Sequence, residues 1–145
     1  MRHSHNIVGV NAGELENRVH LRRARDLMDR DYALPLDVAT IARVAHMSTW
    51  HFSRRFRAVY GETPYSYLLT RRMERAMALL REGTSVTDAC AAVGCSSLGS
   101  FSARFTEVVG VTPSRYRDLD HHAVRSLAPC VSRSATRPRR RPRRR

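Results

Sequence analysis

A chain of 145 residues has room for one domain of about 100 residues and a tail, which excludes two full domains or a large fused enzyme. The formal net charge is +13 and all 26 basic residues are Arg, which points to a polyanionic partner. No apolar run approaches the roughly 20 residues that span a bilayer, and the N-terminal MRHSHNIVGV lacks a signal-peptide core, so a cytoplasmic protein is expected. No basic helix carries a long apolar face, which favours nucleic acid over a membrane surface. The absence of Lys fits a GC-rich coding bias, and equally fits guanidinium forks gripping phosphates and guanine edges. Three Cys, at 90, 95 and 130, do not make a disulfide framework.

In chain order, residues 1–12 have no strong pattern and read as a flexible arm whose His3 and His5 are solvated. From about Gly13 to Asp31 the spacing predicts a helix with Leu15, Val19, Leu27 and Met28 inward and Arg22, Arg23 and Arg30 in water. Ala33-Leu-Pro35 breaks it. Asp37 then caps a short helix whose buried stripe is Val38, Ile41, Ala42 and Ala45, His46-Met47 turns the chain, and Ser48 caps a second helix. This helix-turn-helix covers about residues 37–61. In the second helix Phe52, Phe56 and Val59 face inward, leaving Trp50, His51, Ser53, Arg54 and Arg57 outside. An indole, hydroxyls and guanidinium groups on one exposed helix face are what a DNA recognition helix offers.

Gly61 ends that helix, and Thr63-Pro64 starts a long one over about 64–82, with Leu68, Leu69, Met73, Ala76, Met77 and Leu80 inward and Arg71, Arg72, Arg75 and Arg81 largely outward. After this helix the chain repeats its own pattern. Val86, Ala89, Cys90 and Gly94 match Val38, Ile41, Ala42 and His46 at an offset of 48. Phe101, Ser102, Arg104, Phe105, Gly110, Thr112-Pro113 and Tyr116 match Phe52, Ser53, Arg55, Phe56, Gly61, Thr63-Pro64 and Tyr67 at 49. A second helix-turn-helix is therefore expected over about 85–110, with one extra residue in its turn. The fold class is all-α, two helix-turn-helix units joined by a connecting helix. A rod of about 19 residues spans ~28 Å, suited to holding two readers over adjacent major grooves roughly 34–36 Å apart, so a monomer on an asymmetric site is expected.

Residues 14–118 resemble the DNA-binding domain of the AraC/XylS family of bacterial transcriptional regulators. The resemblance rests on Ser48–Phe56, on Arg71-Arg-Met73, on Val93-Gly-Cys-Ser-Ser-Leu-Gly-Ser-Phe-Ser102 and on Gly110-Val-Thr-Pro-Ser-Arg-Tyr-Arg117. It is strongest to the small stand-alone members, such as the multiple-antibiotic-resistance and superoxide-response activators. The resemblance implies a bacterial regulator of transcription, more commonly an activator, that binds promoter DNA and works with RNA polymerase, with no catalytic residue, cofactor or metal. It places Trp50, Ser53 and Arg54 at base-contacting positions of the first reader, and Leu98, Gly99 and Ser102 at those of the second. Thr49, His51, Arg57, Ser97, Ser100 and Arg104 fall to phosphate contacts. Arg54 fits guanine O6 and N7, and Trp50 fits a thymine methyl; the alternative for Trp50 is a core aromatic, and for Arg54 a solvated charge.

The second reader departs from the family pattern. Ala103 stands where Arg is common, Leu98 offers only methyl contacts, and Cys95 replaces an aromatic, so the first unit is expected to specify sequence and the second mainly to grip. Cys90 and Cys95 match the apolar Ala42 and Met47, which makes them small core residues before redox or metal groups. Residues 119–145 carry nine Arg against one Asp, +8 of the total +13, leaving +5 for residues 1–118; with seven Arg among 137–145 this tail is expected to be disordered and to hold phosphates without sequence choice. Three other readings remain. One is a nucleoid-type protein bound by charge alone. Another is a DNA-binding fragment whose sensor lies elsewhere, against control through the amount of protein. The third is an enzyme of the DNA-repair methyltransferase kind, disfavoured because Pro129-Cys130 is followed by Val131-Ser132 and not by His-Arg.

Overall fold

The computed structural model describes residues 11–122, so residues 1–10 of the arm and most of the Arg-rich tail lie outside the described residues, while Asn11 and Ala12, expected in the arm, are the cap and first residue of the first helix, Asn11 accepting the Gly13 amide. The described chain is helical throughout: α1 (Ala12–Arg30), α2 (Val38–Val44), α3 (Thr49–Tyr60), α4 (Pro64–Arg81), α5 (Val86–Ala92), α6 (Leu98–Val109) and α7 (Pro113–Asp118). The all-helical, duplicated architecture read from the sequence holds.

Local chemistry starts and stops these helices in matching pairs. Asp37 and Ser85 accept the Thr40 and Asp88 amides at the starts of α2 and α5. Ser48 and Ser97 accept those of His51 and Ser100 at α3 and α6, and Thr63 and Thr112 those of Ser66 and Arg115 at α4 and α7. Each side-chain oxygen satisfies an amide that the helix leaves without a partner. Gly61 and Gly110 end α3 and α6 at φ 77° and 96°, the left-handed conformation in which a Cβ is costly.

Two cores form, and α4 belongs to both. Leu21, Ala24, Met28, Ile41, Ala42, Ala45, Phe52, Phe56 and Leu68 make the first. Met73, Ala76, Met77, Leu80, Ala89, Cys90, Val93, Phe101, Phe105 and Tyr116 make the second. The duplication therefore reaches further than the helix-turn-helix pair. Leu21, Ala24 and Met28 of α1 correspond to Met73, Ala76 and Leu80 of α4 at an offset of 52, each set supplying the helix on which a recognition helix rests. A polar position follows the same rule. The Tyr67 hydroxyl donates to Asp29 at 2.8 Å, and in the second copy the Tyr116 hydroxyl accepts from Arg81 at 2.8 Å.

Three expectations change. Leu15 and Val19 are about half exposed, because at 100° per residue they fall opposite Leu21, Ala24 and Met28, the residues α1 actually buries. Val59 is exposed in the last turn of α3, beyond the core, and Tyr60 packs there instead, 4.6 Å from the Phe56 ring and beneath the Arg25 guanidinium. The α4 arginines do not point into water. Arg71 pairs with Glu74 at 3.1 Å and Asp29 at 3.4 Å, Arg75 lies over the Tyr32 ring, and Arg81 is only 7% exposed. Because α4 contacts α1 and α3 of one unit and α5, α6 and α7 of the other, little of its circumference is free, and the long Arg stems cover what remains. At the far end His121 is buried against Tyr116, its Nε2 2.6 Å from the Tyr116 carbonyl, so packing continues past Asp118.

The loop between α1 and α2 also docks on the second unit. Tyr32 packs against both cores, and Gly94 lies so close to Ala33 that a Cβ on Gly94 would run into the Ala33 carbonyl. At φ 79° Gly94 is also left-handed, whereas the free side of Gly83, at φ 91°, is open space. Gly83→Ala is expected to cost about 1–2 kcal/mol from backbone strain alone, and Gly94→Ala clearly more; equal losses in urea unfolding would mean that Ala33 does not rest on the second turn.

Candidate nucleic-acid interface

The first reader is built by the opposition of two faces on α3. Phe52 and Phe56 are fully buried, which fixes the rotation of the helix and turns Trp50, Ser53, Arg54 and Arg57, at i, i+3, i+4 and i+7, away from the core. Trp50 is 66% exposed, which removes the alternative of a core aromatic. The Arg54 guanidinium lies over the Trp50 indole, 4.6 Å from the ring centroid, so the two form one exposed unit that restrains both side chains. Ser53 is half-buried beside them, and Arg57 is exposed one turn on. Thr49 and His51 are exposed in the first turn, where the helix presents amides and the positive end of its dipole. With Arg54, Arg55 and Arg57 and no acidic residue, α3 carries a formal +3.

The second reader has the same frame and different chemistry. Phe101 and Phe105 fix α6 as Phe52 and Phe56 fix α3. Leu98, Gly99, Ser100 and Arg104 are exposed, and Ser102 is half-buried with its carbonyl accepting the Thr106 hydroxyl at 2.8 Å. At the offset of 49, Trp50 becomes Gly99 and Arg54 becomes Ala103, so the stacked pair is absent. A Cβ on Gly99 would meet nothing within 4 Å, so the helix itself does not require glycine there. Arg104 is held by Glu107 at 2.9 Å, and these two charges leave α6 formally neutral. Ser97 caps α6, which engages its hydroxyl as an acceptor and leaves the hydroxyl proton to donate.

The predicted residues thus fall into two groups, one on each recognition helix, with α4 between them. Sequence reasoning missed the stacking of Arg54 on Trp50, although the i, i+4 spacing was its signal. It also missed the inward roles of Arg72 and Arg81, for which a helical Arg gives no signal. Among the described residues no group of three or more His, Cys, Asp and Glu could hold a metal ion, and no helix is long and apolar enough to cross a membrane. Cys90 is buried with its thiol 3.5 Å from the Cys95 carbonyl, and burial pushes both thiols up from their usual range, as core residues behave.

The sequence profile of the helix-turn-helix domain family matches residues 41–118. The chain is 38% identical over 93 residues to the RCS-specific HTH-type transcriptional activator RclR of Escherichia coli K12, a match that covers 63% of this chain and 31% of that protein. It is 36% identical over 91 residues to a putative AraC-like transcription regulator of Streptomyces lividans, covering 62% of this chain and 30% of that one. The chain therefore spans about a third of the length of these relatives. Among solved structures, the DNA-binding domain of the global transcriptional factor AdpA, in complex with a target DNA, superposes with a TM-score of 0.66 at 30% identity, covering 75% of this chain and 98% of that domain. An AraC-type regulator from Chromobacterium violaceum gives 0.63 at 30% identity, covering 74% and 94%. With the family profile matching over half its length and the same paired architecture, the chain belongs to the AraC-type helix-turn-helix family of transcriptional regulators.

Proposed function

We propose that the protein is a sequence-specific double-stranded DNA-binding regulator of transcription that lays α3 in one major groove and α6 in the next. The observation that carries this is the outward Trp50–Arg54 pair on a +3 helix whose other face is locked into a core. An 18-residue α4 is about 27 Å long, in keeping with two readers on one face of the duplex and with a single chain filling an asymmetric site. The likeness to a domain solved on its target DNA supports the same placement. Trp50, Ser53 and Arg54 read bases in the first half-site; Leu98, Gly99 and Ser102 face bases in the second. Thr49, His51, Arg57, Ser97, Ser100 and Arg104 take phosphates. The partner at promoters is RNA polymerase, in the cytoplasm, and activation is favoured because RclR is named an activator.

The segment beyond residue 122 adds affinity without choice, since its closely spaced guanidinium groups release counterions wherever they meet phosphate. The charge of this segment also favours a second reading, a nucleoid-type protein that binds by charge alone.

Arg54→Ala separates the two. It should cost about 1–3 kcal/mol of discrimination at one base pair, while Arg104→Ala, which removes the same charge from the other reader, should weaken all sequences alike. Competition binding on matched and mutated duplexes checks this, and two equivalent variants would favour the charge-only reading. A second expectation concerns the tail. Ending the chain after His122, which keeps His121 on Tyr116, should reduce the steepness of log K against log salt by up to about eight for the nine Arg removed and leave sequence preference intact. Loss of preference would place reading residues in the tail.

A further inference from the structure

A rod alone does not fix the relation between two readers. The two cores are joined lengthwise through α4, and a helix of this length curves, so packing on it alone leaves the two units a range of relative angles. The loop over residues 31–36 supplies a second, off-axis attachment from the first unit. Arg72, on α4, donates from Nε to the Tyr32 carbonyl at 2.7 Å and from a terminal nitrogen to the Leu34 carbonyl at 2.8 Å. Arg75 stacks over the Tyr32 ring at 5.3 Å, and the ring itself packs against both cores. Ala33, between these carbonyls, abuts Gly94 in the turn that launches α6. The loop of the first unit is thus fastened to the rod and pressed against the second reader's turn. The second copy has no counterpart to it, because eight residues lie between Leu80 and Ala89 where twelve lie between Met28 and Ile41.

From this we infer that Arg72 is a positioning residue that sets the half-site spacing the protein accepts, by clamping the 31–36 loop between the two readers. The inference rests on the proposed two-groove reading. It adds what makes that reading selective for spacing as well as for bases. Changing the spacing by one base pair moves the second site by about 3.4 Å and about a tenth of a turn. Packed contacts do not stretch so far, since interiors respond to changes of a single methylene. With the clamp closed only one spacing presents both helices to their grooves. A guanidinium suits the task because its planar fork engages two carbonyls at once, which an ammonium does with less geometric control.

The test uses the full chain, with duplexes in which, beyond the first half-site, only the phosphates of the second half-site stay charged and the flanking ones are methylphosphonates, that charged set lying at the preferred distance or one or two base pairs nearer or farther. Wild type should favour its best spacing at least tenfold over a one-base-pair change. Arg72→Met, which keeps the apolar stem and removes both donors, should keep its preference for the first half-site's sequence while its spacing preference falls below about threefold. Arg72→Lys should lie between. If Arg72→Met is not folded by circular dichroism, Arg72→Lys decides, and a spacing preference as sharp as wild type in the decisive folded variant overturns the inference. Wild type that reads sequence but ignores spacing overturns it too. Wild type that reads no sequence at any spacing instead removes the two-groove reading beneath it.

Discussion

The structure depends on the double burial of α4. Its first turns close the core beneath α3 through Leu68, and its later turns, through Met73, Ala76, Met77 and Leu80, are the floor on which α5 and α6 are built. One helix is therefore the last element of one unit and the first of the next. Each helix-turn-helix packs its apolar core against α4, through Leu68 in the first and through Met73, Ala76, Met77 and Leu80 in the second. The same sharing sets the two units on one frame by packing within a single chain, and the 31–36 loop adds a second attachment between them.

On that frame the two copies agree where they pack and differ on the exposed faces of α3 and α6. The buried phenylalanines, the caps and the left-handed glycines recur in both copies. The exposed face does not: a stacked indole and guanidinium on a +3 helix become glycine and alanine on a neutral one. An exposed ion pair such as Arg104–Glu107 is worth little and opens readily, so Arg104 remains able to turn to a phosphate. What α6 lacks is a rigid bidentate donor for a base edge. The proposed reading rests on this contrast: two similar shapes divide the labour, the first carrying sequence information and the second position.

Much of this was legible in the sequence because its signals are local. Caps, C-terminal glycines and the alternation of Phe52 and Phe56 with Arg54 and Arg57 can be read within a few residues, and the second copy repeats the caps, the glycines and the phenylalanines. Leu15 and Val19 misled because they are apolar at helical spacing, yet nothing in α1 alone says which of its two apolar faces finds a partner. The α4 arginines misled for a related reason. A charged residue is assigned to water by default, and only the tertiary path of the 31–36 loop brings carbonyls to Arg72, as only the docking of α7 brings a phenol to Arg81. The candidate reading residues were legible individually, while the pairing of Trp50 with Arg54 needed the rotamers to be seen.

The measurement that tests this account most directly is selection of binding sites from random duplex DNA by the full chain, at a salt concentration high enough to suppress the Arg-rich segment's indiscriminate binding. The account predicts an asymmetric site with one sharply defined half, containing a guanine for Arg54, and one degenerate half at a fixed distance. Two equally defined halves would contradict the division between α3 and α6, and no enrichment at all would contradict sequence-specific reading by α3.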